Sequence, residues 1–152
     1  MKIFKRVLLV LLLALVLAQF VRIDKTNPDT VEKETFASVE NTPDEVMSIM
    51  KRACLDCHSN NTVWPWYSNV APVSWFVGKH VREAREELNF SEWGTYDDGR
   101  KHHKLEECIE EVAEGEMPLK GYVVWHDEAL ISPDDTSSLF PYFRKLMKKY
   151  KE

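Results

Sequence analysis

Apolar residues recur along this chain at helical spacing rather than strand spacing. Val46, Met47, Ile49, Met50 and Ala53 form one stripe, which runs into Cys54 and Cys57. Phe76, His80, Ala84 and Leu88 are spaced by four and predict a second helix from about Trp75 to Leu88. Leu105, Cys108, Ile109, Val112 and Ala113 follow the i, i+3, i+4, i+7, i+8 pattern of a third. Leu139, Phe143, Leu146, Met147 and Tyr150 mark a last one. No alternating run is long enough for a sheet, so the expected class is all-α.

Punctuation residues place the helix ends. Thr42-Pro43-Asp44-Glu45 predicts a capping box, with proline at the first helical position. Asn60-Asn61 ends that helix, which puts Cys54–His58 at its close. Asp97-Asp98 opens the third helix and Gly115 stops it. Val123 and Val124 suggest a short extended piece. Ser132-Pro133-Asp134-Asp135 caps the last helix, and Pro141 inside it should kink or split it.

The first 21 residues follow a different pattern. Lys2, Lys5 and Arg6 precede an unbroken apolar run, Val7–Ala18. This reads as a signal peptide or a membrane anchor. The run is short for a span, which needs about 20 apolar residues. Val16-Leu17-Ala18 before Gln19 is a tolerable cleavage site, and no cysteine follows for lipid attachment. In either case the basic end stays inside and Arg22–Glu152 is exported, to the periplasmic side of the cytoplasmic membrane. Residues 22–40 are polar and aperiodic and read as a tether. Residues 41–152 are then enough for one domain.

Charge narrows the partners. The chain carries −5, and Lys2, Lys5 and Arg6 are the only charges in residues 1–21, so the remainder carries −8. That balance argues against nucleic acid. It suits a cationic partner, or simply solubility. All five tryptophans fall between Trp64 and Trp125, where they can wall a pocket or fill an ordinary core.

Cys54-Leu55-Asp56-Cys57-His58 carries the chemistry. C-x-x-C-H is the attachment pattern of a c-type haem. Thiols three apart share a helical face and reach one porphyrin edge, and the adjacent imidazole turns to the iron. A zinc site fits less well, because Cys108 with His102 or His103 has no zinc-like spacing. A thioredoxin-like pair needs a strand before the motif, and the residues there read as helix. A Cys54–Cys57 disulfide is poorly served by helical geometry. Export also agrees with haem attachment.

His58 is therefore the expected proximal iron ligand, and Met117 the candidate distal one. Met117 lies in the loop Gly115-Glu116-Met117-Pro118, whereas Met47, Met50 and Met147 sit on helix stripes and read as core. His80, His102, His103 and His126 are rivals with ordinary structural readings. The second ring nitrogen of His58 needs a carbonyl acceptor, for which Pro65 is a candidate. Trp66, Tyr67 and Arg85 are candidates for the haem propionates. Cys108 reads as a buried, inert thiol.

A longer signature surrounds the motif. Cys54–Thr62, Pro65-Trp66-Tyr67-Ser68-Asn69, Pro72–Trp75, Leu88–Trp93 and Gly115–Leu119 resemble the bacterial cytochrome c-like haem-binding domain family, over about residues 36–150. The resemblance implies about four helices packed around one covalent haem c, preceded by an N-terminal hydrophobic helix. It carries over Cys54, Cys57 and His58, and it places Met117 in a Glu-Met-Pro element. Ala84-Arg85 departs from an expected Gly-Arg pair, and Pro141-Tyr142-Phe143 stands where a tryptophan is usual nearby. The family has no well-defined reaction.

Three functions remain in view, one of them a non-haem metal or structural module. A six-coordinate His/Met iron makes a monohaem cytochrome that exchanges electrons with an unspecified partner protein. An open or labile sixth position makes a haem sensor or a peroxidase-like enzyme, with His80, His103 or Glu116 as acid or base.

Overall fold

A computed structural model describes residues 1–151 and contains seven α-helices, with no strand among the described residues. They are α1 (Lys2–Ala18), α2 (Phe36–Glu40), α3 (Asp44–Ala53), α4 (Val73–Glu87), α5 (Asp98–Glu114), α6 (Lys120–Val123) and α7 (Pro133–Lys149), joined by short 3-10 turns.

The amphipathic helices α3, α5 and α7 pack together and build the core. Ile49 and Met50 of α3, Leu105 of α5, and Leu139, Phe143 and Leu146 of α7 are all buried. Phe36, Phe90, Trp93 and Tyr96 close it. Each fully buried side chain of this size contributes about 1.5–3 kcal/mol. Phe36 meets Trp93 edge-on at 5.0 Å and Phe90 at 5.2 Å, and its N–H donates to the carbonyl of Phe90 at 2.8 Å.

Several ends fall where the sequence puts them. Asp97 caps α5 by accepting from the Arg100 N–H, and Gly115 closes it with a left-handed φ of 73°. Ser132 and Asp135 form a reciprocal capping box on α7. Other ends differ. Pro43 is the N-cap of α3, and no side chain caps that helix. Thr42 turns its hydroxyl to the carbonyl of Phe36 instead, so the expected capping box does not form. Residues 120–123 are helical rather than extended. α7 runs through Pro141 unsplit, because Pro141 lies on its exposed side, where water can satisfy the freed carbonyl.

The polar stretch 22–40 lies along the domain rather than free of it. Asn27 donates to the carbonyl of Thr62, Asn60 donates to that of Asp29, and Phe36 enters the core. Thr35 caps α2, a start signal that its polar neighbours obscure. Among the described residues no helix is long and apolar enough to cross a membrane.

Candidate functional site

α3 ends at Ala53, short of the end expected at Asn60-Asn61, because Cys54 leaves helical geometry at φ −123°, and Cys54–His58 follows as a tight turn. The Cys54 N–H bonds to Met50 at 2.8 Å, and the His58 N–H bonds back to the Cys54 carbonyl at 2.9 Å. The His58 carbonyl accepts from Phe90 at 2.8 Å, pinning the turn to the segment after α4.

His58 is held from its ring as well. Its Nδ1 lies 3.1 Å from the carbonyl of Ala84 and 3.0 Å from that of Leu88. Carbonyl oxygens only accept, so Nδ1 carries the proton and Nε2 keeps its lone pair. Burial pushes the imidazole pKa down, outweighing the two backbone bonds that raise it, and this favours the neutral ring. The carbonyl of Pro65, expected in this role, instead accepts from the Ser68 N–H and hydroxyl. The acceptors come from the end of α4: the Ala84 carbonyl also receives the Leu88 N–H at 2.9 Å, and Leu88 is the C-cap residue.

Two apolar cavities meet at this ring. One, of about 280 Å³, is lined by Cys54, Cys108, Val112, Ile131 and Leu139. The other, of about 390 Å³, is lined by Cys57, His80, Ala84, Leu119 and Tyr122. Ala53, His58, Glu87, Met117 and Pro118 line both. Together they fall in the size range of cofactor sites. Met117 reaches this position because Gly115 reverses the chain and the Met117 N–H ties back to the carbonyl of Glu111 at 3.1 Å.

Both thiols are neutral here. Burial pushes Cys54 up to about 12 and Cys57 up to about 11. Burial also raises the Cys108 thiol, which shares the Cys54 cavity. No three His, Cys, Asp or Glu side chains gather as a metal site among the described residues.

A buried polar frame holds the motif. Asp56 accepts from the Val63 N–H at 3.2 Å and from the Tyr122 hydroxyl at 2.7 Å. Asn60 accepts from Asn89 at 2.7 Å, and its N–H donates to the Ser91 hydroxyl. Arg85 donates to the Ser59 carbonyl, to Asn27 and to the Thr62 hydroxyl, each at 2.8 Å.

Trp66, Tyr67 and Arg85 do not line the two cavities. Arg85 is committed to the frame and faces a separate polar cleft. The Tyr67 hydroxyl pairs with His126 Nε2 at 2.9 Å, and Trp66 stands exposed against Trp125. Of the rival histidines, His80 is an exposed edge of one cavity, His103 pairs with Glu107, and His126 stacks on Tyr122. Only Trp93 of the five tryptophans is fully buried in the core. Sequence reasoning missed Lys104, a buried cation at the cavity wall that donates to Glu87 and Glu107.

A neutral imidazole with a free Nε2 and a thioether therefore line both of two adjoining apolar cavities, with the Cys54 thiol on one and the Cys57 thiol on the other. Comparison with protein families finds a match over residues 13–145 to the family described as haem-binding domain. The chain belongs to that haem-binding domain family. Comparison with curated proteins and with solved structures finds no match. Haem is accordingly the cofactor, and the apolar lining, free imidazole nitrogen and thioether are suited to it.

Proposed function

We propose that this haem-binding protein is a monohaem c-type cytochrome that transfers electrons on the outer side of the cytoplasmic membrane. In this reading Cys54 and Cys57 would hold the haem by thioether bonds, and His58 and Met117 would ligate its iron. The observation that carries it is the fixed ring of His58: its protonated Nδ1 donates to two carbonyls, which leaves Nε2 for the iron. Cys54 lines one cavity and Cys57 the other, and His58 and Met117 line both.

When bound, the haem supplies a one-electron couple. The chain's own residues do the rest. Ala84 and Leu88 orient the imidazole, and the apolar wall of Leu139, Phe143 and Ile131 excludes water. Met117 would occupy the last iron position and favour the reduced state. Glu87, Glu107 and Glu111 lie at the wall of the site, where Lys104 pairs with Glu87 and Glu107. The acidic exported surface would suit a cationic redox partner protein.

The test is production of the exported chain with a c-type maturation system. Haem that stays on the chain through denaturing electrophoresis, and leaves it in Cys54→Ala/Cys57→Ala, supports the reading. Low-spin iron in both oxidation states supports electron transfer. High-spin iron that binds carbon monoxide or peroxide readily overturns it in favour of a sensor or peroxidase-like enzyme.

A further inference from the structure

α1 projects from the domain, with none of its residues buried. Its foot, however, is fixed. The Gln19 side chain donates to the carbonyl of Ala71 and accepts from the Ala71 N–H, both at 3.0 Å. The Trp75 indole donates to the carbonyl of Val21 at 2.9 Å. Ile23 packs on Gly78, where an added Cβ would lie 3.1 Å from Ile23 Cγ2. These three attachments follow one another along the start of α4, so the beginning of α4 lies beside the end of α1.

Apolar side chains stand open around this foot. Phe20 is 79% exposed and Phe76 61%, and Val21, Val70, Val73 and Trp75 are exposed with them. Val73 and Phe76 are i, i+3 neighbours on one face of α4. One turn further along, the exposed residues are Lys79, His80, Arg82 and Glu83, with Lys79 paired to Glu83 at 3.6 Å. Apolar and aromatic groups followed by polar and charged ones is the order in which a bilayer interface accepts side chains with height. α1 alone rises about 25 Å for its 17 residues, less than the hydrocarbon core of about 30 Å. The apolar face at its foot extends that surface beyond Ala18.

We propose that Phe20, Val21, Val70, Val73, Trp75 and Phe76 dock the domain directly on the outer leaflet of the bilayer that receives α1. This rests on the reading of α1 as membrane-inserted. The occupant is lipid because the face is continuous with an exposed apolar helix of the same chain. The exported part carries −8, so apolar contact rather than charge draws it down. The haem domain then keeps one orientation to the membrane and does not swing on residues 22–40.

The full, haem-loaded chain in vesicles of phosphatidylcholine and phosphatidylglycerol provides the test. An environment-sensitive fluorescent amino acid replaces Phe76, Leu9 or Glu110 in turn, all exposed positions whose replacement leaves the core intact. The proposal expects a blue-shifted emission maximum at 9 and at 76, against detergent-free buffer, and none at 110. A shift at 9 with none at 76 overturns the docking and leaves the membrane reading standing. No shift at 9 removes both. A shift at 76 that grows with protein-to-lipid ratio means that a second copy covers the face, and overturns the proposal.

Discussion

His58 Nδ1 lies 3.0 Å from the carbonyl oxygen of Leu88, so the C-terminal turn of α4 sets the orientation of the imidazole in α3's closing turn. The contact uses backbone, so no side-chain replacement at 88 removes it directly. In the haem-free chain it expects the Nδ1-protonated tautomer of His58. Nitrogen NMR of the imidazole checks this; an Nε2-protonated ring would show that the folded chain does not prepare the ligand.

Met117→Ala removes the thioether from both cavities. The expected result is covalent haem retained through Cys54 and Cys57, a lost methionine–ferric charge-transfer band, a lower reduction potential and new binding of carbon monoxide. Optical spectroscopy with a redox titration reads all four. An unchanged band would assign the sixth position to another residue.

Arg85→Lys separates a frame role from a propionate role. Lysine cannot span Ser59, Asn27 and Thr62 together, so unfolding stability should fall by about 1–3 kcal/mol. The haem spectrum and potential of the folded variant should stay as they were. Denaturant unfolding and a redox titration on the same sample decide it.

Glu40 receives Trp93, Lys149 and Tyr150 on one buried carboxylate. Burial raises its pKa, but the hydrogen bonds from Lys149, Tyr150 and Trp93 together pull it below the ordinary range. Its stabilisation is therefore present at neutral pH and lost as pH falls through the acid range. Glu40→Ala leaves three donors without their acceptor and should cost about 2–4 kcal/mol at neutral pH, measured by denaturant unfolding.

Arg52 holds Asp135 at 2.5 Å and also donates to the carbonyls of Glu128 and Leu130. The Arg52 bond is the main reason that the Asp135 pKa is lowered to about 2. A depressed carboxylate stabilises the fold above its unfolded value near 4, and this is lost as pH falls from about 4 towards about 2. Asp135→Asn should flatten the stability–pH curve in that window. An unchanged curve, followed by circular dichroism, would show that the pair contributes nothing.

Much of this was legible because it is local. The stripes of α3, α5 and α7, the Asp97 and Ser132 caps and the Gly115 stop each depend on residues within one or two turns. So does the motif Cys54–His58, whose spacing is itself the chemical signal. Loop position and the Glu-Met-Pro element singled out Met117, and the fold brings it to the wall shared by both cavities.

The rest was decided at long range. Pro65, close to His58 in sequence, spends its carbonyl on Ser68, while Ala84 and Leu88, some thirty residues away, accept from the imidazole Nδ1. Arg85 serves the frame because Asn27 and Thr62 reach it from either side. Residues 22–40 look like free tether in composition, yet they find partners on Thr62, Asn60 and the aromatic core. Sequence by itself determined the main helices, the Asp97, Gly115 and Ser132 boundaries and the haem-directed motif, because those follow from backbone periodicity and short-range hydrogen bonds. Only the tertiary structure decided which carbonyl orients His58, which side chains wall the cavities and where α1 meets the domain, because buried polar groups must be satisfied by whatever the packed chain brings within reach.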